Sequence, residues 1–259
     1  MEDKSARGHG RSIALSITYK VRPLRLGSLD IDKSYNTYMK NAGEEITQPI
    51  LAYLVSGGGK NYLVDTGAPD EDYCTRYQRP IRRELGETLL GQLDANGLRP
   101  EHLDGAILTH LHWDHAGNVK DLGAVTHYVQ AEELRYAIAP MPIHSRGYDA
   151  PQHREPHVPF WIGPHYEVLD GATELAPGLS VVPTPGHSPG SQTVLVQTSG
   201  GVAALTGDTV PLYENWETNT PNTIHTELRA YYQSLSFIRT SCDYILPGHD
   251  ERVLERTEY

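Results

Sequence analysis

Hydrophobic residues along the chain fall into short runs, most with the two-residue period of strands and a few with the spacing of helices. The strand-like runs lie at residues 12–29, 50–55, 62–65, 103–108 and 125–129. A glycine-rich turn at residues 57–59 joins two of these runs and predicts a hairpin. Helices are predicted at residues 84–97, 131–138 and 226–240. The pattern predicts a protein of mixed strands and helices.

Three stretches show neither period. Residues 1–11 are polar and are predicted to be a disordered tail, which leaves residues 12–259 as a single domain. Residues 30–49 are expected to be either an ordered loop or an arm of a homodimer. Residues 139–165 contain six prolines, and long irregular segments of this kind are often binding loops. We expect this last segment to be either the wall of a substrate pocket or a surface insertion.

The densest group of polar residues follows the apolar run at residues 106–108. His110, His112, Asp114 and His115 fall within six positions, in the pattern H-x-H-x-D-H. Imidazole nitrogens and carboxylate oxygens are the ligands that borderline divalent metals such as zinc accept. Side chains two apart at a strand end point the same way, so His110 and His112 can face one ion. The motif predicts a metal site.

One loop cannot complete a hydrolytic metal site, so further ligands must come from elsewhere in the chain. Three candidates each follow a hydrophobic run and have a glycine directly before them, which allows a sharp turn close to a metal. These candidates are His187, Asp208 and His249. Strand ends gathered at one edge of a sheet are where α/β folds commonly build sites.

In this order, the H-x-H-x-D-H motif, His187, Asp208 and His249 resemble the metallo-β-lactamase superfamily of metallohydrolases. Val64-Asp65-Thr66-Gly67 resembles an early strand-end motif of the same superfamily, so the resemblance covers nearly the whole chain. Residues 184–192, and Gly207-Asp208 followed by residues 214–217, are most similar to the N-acyl homoserine lactonases, which are quorum-quenching enzymes. The resemblance implies an α/β fold, a four-layered αββα sandwich, and a metal-dependent hydrolase.

The resemblance also implies two divalent metal ions, with zinc expected first and iron, cobalt or manganese as alternatives. The implied ligands are His110, His112 and His187 for one ion, and Asp114, His115 and His249 for the other, with Asp208 bridging them. Asp65 would orient a ligand imidazole from behind. A hydroxide that bridges the ions would be the nucleophile, because metal binding lowers the pKa of water toward about 7.

The implied substrate is a small lactone, such as an N-acyl homoserine lactone. Asp114 or a water is expected to carry a proton to the leaving ring oxygen. The related lactonases have a tyrosine three residues after the bridging aspartate that contacts the substrate carbonyl, whereas this chain has Pro211 there. Tyr213 is the nearest hydroxyl that could replace it. Trp113 resembles an aromatic residue at the pocket floor, although packing explains it nearly as well.

The composition of the chain limits the kinds of binding partner and the cellular compartment that we expect for the protein. The chain has 22 basic and 33 acidic residues, a net charge of −11, which repels phosphate backbones and argues against nucleic acid. No apolar run approaches the roughly 18 residues needed to span a bilayer. Cys74 and Cys242 are expected to be reduced thiols, and the polar N-terminus has no signal-peptide pattern. We expect a cytoplasmic protein that has no membrane partner.

Other activities on the same fold stay open at this point. They are hydrolysis of another ester, a thioester or a cyclic amide, and oxygen activation at a single iron. Aspartate at position 208 argues against the dinuclear β-lactamases, which generally carry cysteine there. The short segment after His249 argues against glutathione thioesters, and the full second ligand set argues against an oxygenase. Four further histidines are expected to be ordinary polar residues, because the ligand set is complete without them: His144, His153, His157 and His165.

Overall fold

The computed structural model describes residues 17–150 and 158–259. Its strands are β1 (Lys20–Asp32), β2 (Glu45–Gly57), β3 (Lys60–Val64), β4 (Gly105–Ile107), β5 (His127–Gln130), β6 (Tyr166–Leu169), β7 (Thr173–Ala176), β8 (Leu179–Pro183), β9 (Gln192–Thr198), β10 (Gly201–Leu205) and β11 (Tyr244–Leu246). Its α-helices are α1 (Glu71–Tyr77), α2 (Leu89–Ala95), α3 (Trp113–Ala116), α4 (Ala131–Ile138), α5 (Tyr213–Thr218) and α6 (Leu228–Ser241). The predicted tail at residues 1–11, His153 and His157 lie outside the described residues.

The strands form two mixed sheets. The first has the order β1-β2-β3-β4-β5-β6, and the second has the order β11-β10-β9-β8-β7. Strands β3 to β6 are parallel neighbours in the first sheet, and β10 and β11 are parallel in the second. Because parallel neighbours have their carboxyl ends at one edge, the loops that follow β3 and β4 lie together, as do the loops that follow β10 and β11.

Three hydrophobic clusters hold the sheets and helices together. The middle cluster lies between the sheets and contains Val64 of β3 and Val181 of β8. The adjacent Leu63 belongs instead to an outer cluster with Leu93 of α2, because successive side chains of a strand point to opposite faces. A third cluster packs Ile238 and other residues of α6 against the far face of the second sheet. The layers therefore run helix, sheet, sheet, helix.

The first two strands extend further into residues 30–49 than the sequence pattern predicted, and β1 begins at Lys20 rather than near residue 12. β1 continues to Asp32 and β2 begins at Glu45, so much of the polar segment at residues 30–49 is strand. The connection between them folds onto its own chain, where the main-chain N–H of Tyr38 donates to Pro221 O at 2.9 Å. The segment is therefore ordered within the monomer. Whether it also contacts a second subunit stays a prediction.

The helix predicted at residues 84–97 is shorter than expected, and α2 begins only at Leu89. Gly86 has a φ of +88°, which ends any helical path before it, and the Thr88 hydroxyl caps the new start by accepting from Gly91 N–H at 3.1 Å. Leu85, an apolar residue within the predicted range, is fully exposed. The helix predicted at residues 131–138 is confirmed by α4. Within the described ranges, no helix is long and apolar enough to cross a membrane.

Candidate metal centre and adjoining pocket

The seven predicted ligands meet where strands of both sheets end. The loop with the H-x-H-x-D-H motif follows β4, while His187, Asp208 and His249 follow β8, β10 and β11. Six of the side chains are buried, and Asp114 is half-buried. They form two groups, within which the ligand atoms lie no more than 4.8 Å apart: His110, His112, His187 and Asp208, and Asp114, His115 and His249.

Glycine allows the sharp turns before two of these ligands. Gly186 and Gly207 have φ values of +137° and +49°, which side chains other than glycine rarely adopt. A Cβ at Gly207 would also lie 2.6 Å from the Thr109 hydroxyl. Gly248, before His249, does not have a positive φ; there the lack of a side chain permits close approach to Gly207, whose carbonyl oxygen would lie 2.8 Å from a Cβ.

In the first group, three imidazole nitrogens converge on one point. Nε2 of His110 lies 3.0 Å from Nδ1 of His112, and Nε2 of His187 lies 3.2 Å and 2.9 Å from those two atoms. Oδ2 of Asp208 is 3.5 Å from Nε2 of His187. Ligands about 2.0–2.1 Å from a tetrahedral ion are about 3.3 Å apart, so these spacings fit a single metal ion.

The second group shares Asp208 with the first. Oδ1 of Asp208 is 3.1 Å from Nε2 of His115 and 3.0 Å from Nε2 of His249. The Nε2 atoms of His115 and His249 are 3.1 Å apart. Oδ2 of Asp114 lies 3.7 Å from Nε2 of His249. Asp208 thus turns one oxygen toward each group, which is the arrangement expected of a bridging carboxylate.

A buried oxygen without a donor supports metal binding. Oδ1 of Asp208 is buried and has no hydrogen-bond partner among the described residues, although imidazole nitrogens surround it. Buried polar atoms are normally paired, so an oxygen that faces converging imidazole nitrogens fits a cation-binding site. The donor set of imidazoles and carboxylates fits divalent metal ions such as zinc.

The two groups differ in how readily they lose protons. Burial and the neighbouring imidazoles hold the pKa of His110 and His112 well below the usual value. Burial also acts to lower the pKa of His115, but the carboxylates of Asp208 and Asp65 outweigh it and raise that pKa well above the usual value. The pKa of His249 is raised as well, since Asp208 again outweighs burial. Protons therefore compete with a metal ion mainly at the second group.

Partners behind the ligands fix three imidazole rings. Nδ1 of His115 donates to Oδ2 of Asp65 at 2.8 Å, which places Asp65 where the resemblance implied. Nδ1 of His187 donates to Ile224 O at 2.7 Å, and Nδ1 of His249 donates to Pro49 O at 2.9 Å. In each ring the proton on Nδ1 leaves the lone pair of Nε2 for a metal ion.

Glu133 is a supporting residue that the sequence patterns did not reveal. It is fully buried, and its carboxylate accepts from Leu111 N–H at 2.9 Å, between two ligands of the motif. It also accepts from the Ser188 hydroxyl at 2.6 Å and Gly190 N–H at 3.1 Å, just after His187. Burial raises the pKa of Glu133, against the lowering effect of these donors. One carboxylate therefore ties the loops of two ligand segments together.

A cavity of about 400 Å³ adjoins the first group at His112. Trp113 lies in its lining, as expected for the pocket floor, and so do residues 141, 143, 144, 146 and 147 of the irregular segment. That segment packs behind His112 as well, where the Tyr148 ring lies 4.6 Å from the imidazole, centroid to centroid. For residues 139–165 we predicted either a pocket wall or a surface insertion. The residues of this segment that the structure describes favour the pocket wall.

Tyr213 does not lie with the metal ligands. Its hydroxyl donates to Ile245 O at 3.3 Å, and the Arg252 guanidinium lies 4.5 Å from the centre of its ring. It lines a separate groove with Ser199 and Tyr244, near the strand ends opposite those that carry the ligands. The sequence placed it near the site because it follows Asp208 closely, but the turn into α5 carries the ring away. We assign no catalytic role to this hydroxyl.

The extra histidines fall outside both ligand groups where they are described. His144 lines the cavity beside His112, and His165 is near neither group. The main-chain carbonyl of Pro211 accepts the main-chain N–H of His249 at 2.8 Å and so helps to hold the loop of that ligand. The proline side chain has no hydroxyl to offer a substrate.

Comparison with known families settles the membership of the chain. A sequence model of the metallo-beta-lactamase superfamily matches residues 47–249. The chain belongs to the metallo-beta-lactamase superfamily. This confirms the resemblance drawn from the motifs, and with it the αββα sandwich and a metal-dependent hydrolase.

Curated relatives in this superfamily carry lactonase names. The N-acyl homoserine lactonase of Bacillus cereus is 30% identical over 207 residues, covering 75% of this chain and 77% of the relative. The N-acyl homoserine lactonase AttM of Rhizobium radiobacter is 26% identical over 202 residues, covering 71% and 74%.

Solved structures show the same fold. An N-acyl homoserine lactone hydrolase with N-hexanoyl-L-homoserine at its catalytic metal centre matches with a TM-score of 0.76 and 23% identity, over 93% of this chain and 96% of that chain. The dizinc quorum-quenching lactonase AidC matches with a TM-score of 0.69 and 16% identity, over 90% of this chain and 88% of that chain.

Proposed function

We propose that the protein is a dinuclear metal-dependent hydrolase that opens the ring of a small lactone, with N-acyl homoserine lactones as the first substrates to test. The observation that carries this proposal is the pair of ligand groups that share Asp208. Relatives named N-acyl homoserine lactonase, which match three quarters of this chain, support the choice of substrate.

In this proposal each ligand group holds one ion, and zinc is the first metal to test because the donors are rich in imidazole. Two divalent ions would supply hydroxide at neutral pH and would polarise the carbonyl of the lactone. His110, His112 and His187 hold the ion nearer the cavity, so the substrate enters beside His112. Asp208 fixes the spacing of the two groups.

Asp114 is the proposed proton carrier. It is the only half-buried member of the ligand set, so one of its oxygens can meet both an ion and solvent. Attack of hydroxide breaks the ring C–O bond, and the Asp114 carboxylate could take the proton from the newly formed carboxyl group and pass it to the departing alkoxide, which leaves a carboxylate and an alcohol. Tyr213 takes no part in this scheme, because its hydroxyl is engaged with Ile245.

The net charge of −11 supports a neutral small-molecule substrate over a nucleic acid. Lactone opening releases one proton at neutral pH, so a weakly buffered indicator assay tests the proposal directly. The substrates are γ-butyrolactone and short- and long-chain N-acyl homoserine lactones. We expect metal-dependent acidification with at least one of them. If the metal-loaded protein opens none of them but cleaves esters or thioesters, the lactonase assignment is wrong and the hydrolase assignment stands.

A further inference from the structure

Asp208 can bridge two ions only if its carboxylate keeps one orientation, with Oδ1 toward His115 and Oδ2 toward His187. The torsion that rotates the carboxylate of an aspartate has broad preferences, so neighbouring groups must set it. Among the described residues outside the ligand set, one side chain donates to this carboxylate. It is Asn222, whose Nδ2 lies 3.5 Å from Oδ2 of Asp208.

The amide of Asn222 connects two metal ligands. The residue is 1% exposed, and within the described chain its Nδ2 has no acceptor other than Asp208. Its Oδ1 accepts from Ile224 N–H at 2.9 Å, in a turn that asparagine side chains commonly form with the residue two positions later. The carbonyl of Ile224 in turn accepts from Nδ1 of His187 at 2.7 Å. One buried side chain thus contacts the bridging carboxylate and fixes the residue behind a ligand imidazole.

The segment that carries this amide, residues 220–224, is held by the connection between β1 and β2. Thr223 N–H donates to Tyr35 O at 3.2 Å, and the Thr223 hydroxyl donates to Ser34 O at 2.5 Å. These contacts restrict the path of the segment. The fold therefore holds the amide against the carboxylate, independently of any bound ion.

The contacts of Asn222 concern one ligand group. Oδ2 of Asp208 faces the first group, to which His187 also belongs. The rings of the second group that have a partner behind them are held instead by Asp65 and by Pro49 O. We propose that Asn222 is a positioning residue that orients Asp208 and His187 for the ion of the first group. This inference rests on the proposed two-metal site.

Two substitutions separate the two contacts of Asn222. Asn222→Ser keeps an oxygen that can accept Ile224 N–H, but its side chain is too short to reach Asp208. It should weaken binding of the first ion about tenfold, as expected for one hydrogen bond to a charged group. Asn222→Leu has a similar size and loses both contacts, so it should weaken that ion about 100-fold and also disturb the ring of His187.

Chelator competition during a zinc titration measures the affinities of the two ions, and the imidazole ¹⁵N signals assign each ion to its ligand group. We expect the affinity of the second group to stay within about twofold in both variants. The signals of His187 should shift in Asn222→Leu and stay near those of the wild type in Asn222→Ser. Asn36→Leu is the matched control, because Asn36 is a buried asparagine whose amide donates to Gln48 at 2.6 Å and to no ligand. It should leave both affinities within about twofold.

Equal weakening of both ions, or unchanged affinities in both variants, would show that Asn222 does not position the first group. If Asn222→Leu does not fold, Asn222→Ser alone decides between these results. The affinities are measured without substrate. A wild type that binds only one ion, or two ions without opening any lactone, would defeat the proposed function, while the affinity of the ion held by His187 would still decide the role of Asn222.

Discussion

Oδ2 of Asp65 accepts a hydrogen bond from Nδ1 of His115 at 2.8 Å, and the same carboxylate accepts the N–H and the hydroxyl of Thr109 at 2.7 Å and 2.8 Å. Asp65 reaches this place from the end of β3 with a φ of +60°, which non-glycine residues seldom adopt. The side chain thus links two strand ends and aims the imidazole at the second ligand group, and the unusual backbone conformation is held by three hydrogen bonds.

Asp65→Asn should weaken metal binding at the second group about 10- to 100-fold, the usual effect of losing a partner behind a ligand. The amide keeps the shape but cannot accept from all three donors, so the ring is less well oriented. Competition with a chelator measures the affinity. Glu101→Gln is the matched control, since Glu101 is exposed and pairs with Arg99 at the surface. Equal affinities in the two variants would show that Asp65 does not orient His115.

Glu133→Gln should lower the free energy of unfolding by about 2–4 kcal/mol, because an amide nitrogen cannot accept from the donors that now meet a carboxylate oxygen. Urea unfolding of the metal-loaded protein measures the change. The neighbouring Glu132→Gln is the control, since Glu132 is exposed and bonds to Arg135 alone among its described contacts. A Glu133→Gln protein as stable as this control would contradict the structural role assigned to the carboxylate.

Acidification should remove the metal from the second group first. Without metal, the raised pKa of His115 and His249 means that these rings hold protons at a higher pH than His110 and His112, whose pKa is lowered. Proton competition therefore begins at the second group as the pH falls. Cobalt-substituted protein dialysed from pH 8 to pH 5.5 should lose one equivalent before the other. Simultaneous loss of both equivalents would mean that the two groups do not differ in this way.

Tyr213→Phe should leave kcat/KM within about twofold of the wild type, since the hydroxyl bonds to Ile245 O, a neutral partner remote from the metal ligands. Lactone kinetics and metal content are the measurements. A loss of a hundredfold or more with both metals retained would restore Tyr213 as a catalytic residue and overturn our reading of its position.

The metal ligands could be predicted from the sequence because four of them stand in one short motif and the others follow strand ends with a glycine before them. Glu133 could not, since a glutamate on the amphipathic helix α4 looks like any exposed acidic residue until the fold turns it inward.

Distance along the sequence does not match distance in space at two places. Tyr213 lies five residues after Asp208, but a 3₁₀ turn and the start of α5 separate them in space. The polar composition of residues 30–49 predicted a loop. Both ends of this segment are instead strand, because β1 pairs with β2 there. In both cases tertiary contacts decided the outcome, and local spacing carries no information about them.

The proposed lactone hydrolysis depends on two ions held around Asp208. The most direct measurement titrates metal-free protein with zinc and follows both the binding stoichiometry and the opening of N-hexanoyl homoserine lactone, for the wild type and for Asp208→Ala. We predict that wild-type activity saturates near two equivalents, and that Asp208→Ala binds at least one ion more weakly and has no turnover. Full activity at one equivalent, or an Asp208→Ala protein that keeps both ions and full activity, would rule out a dinuclear site bridged by Asp208.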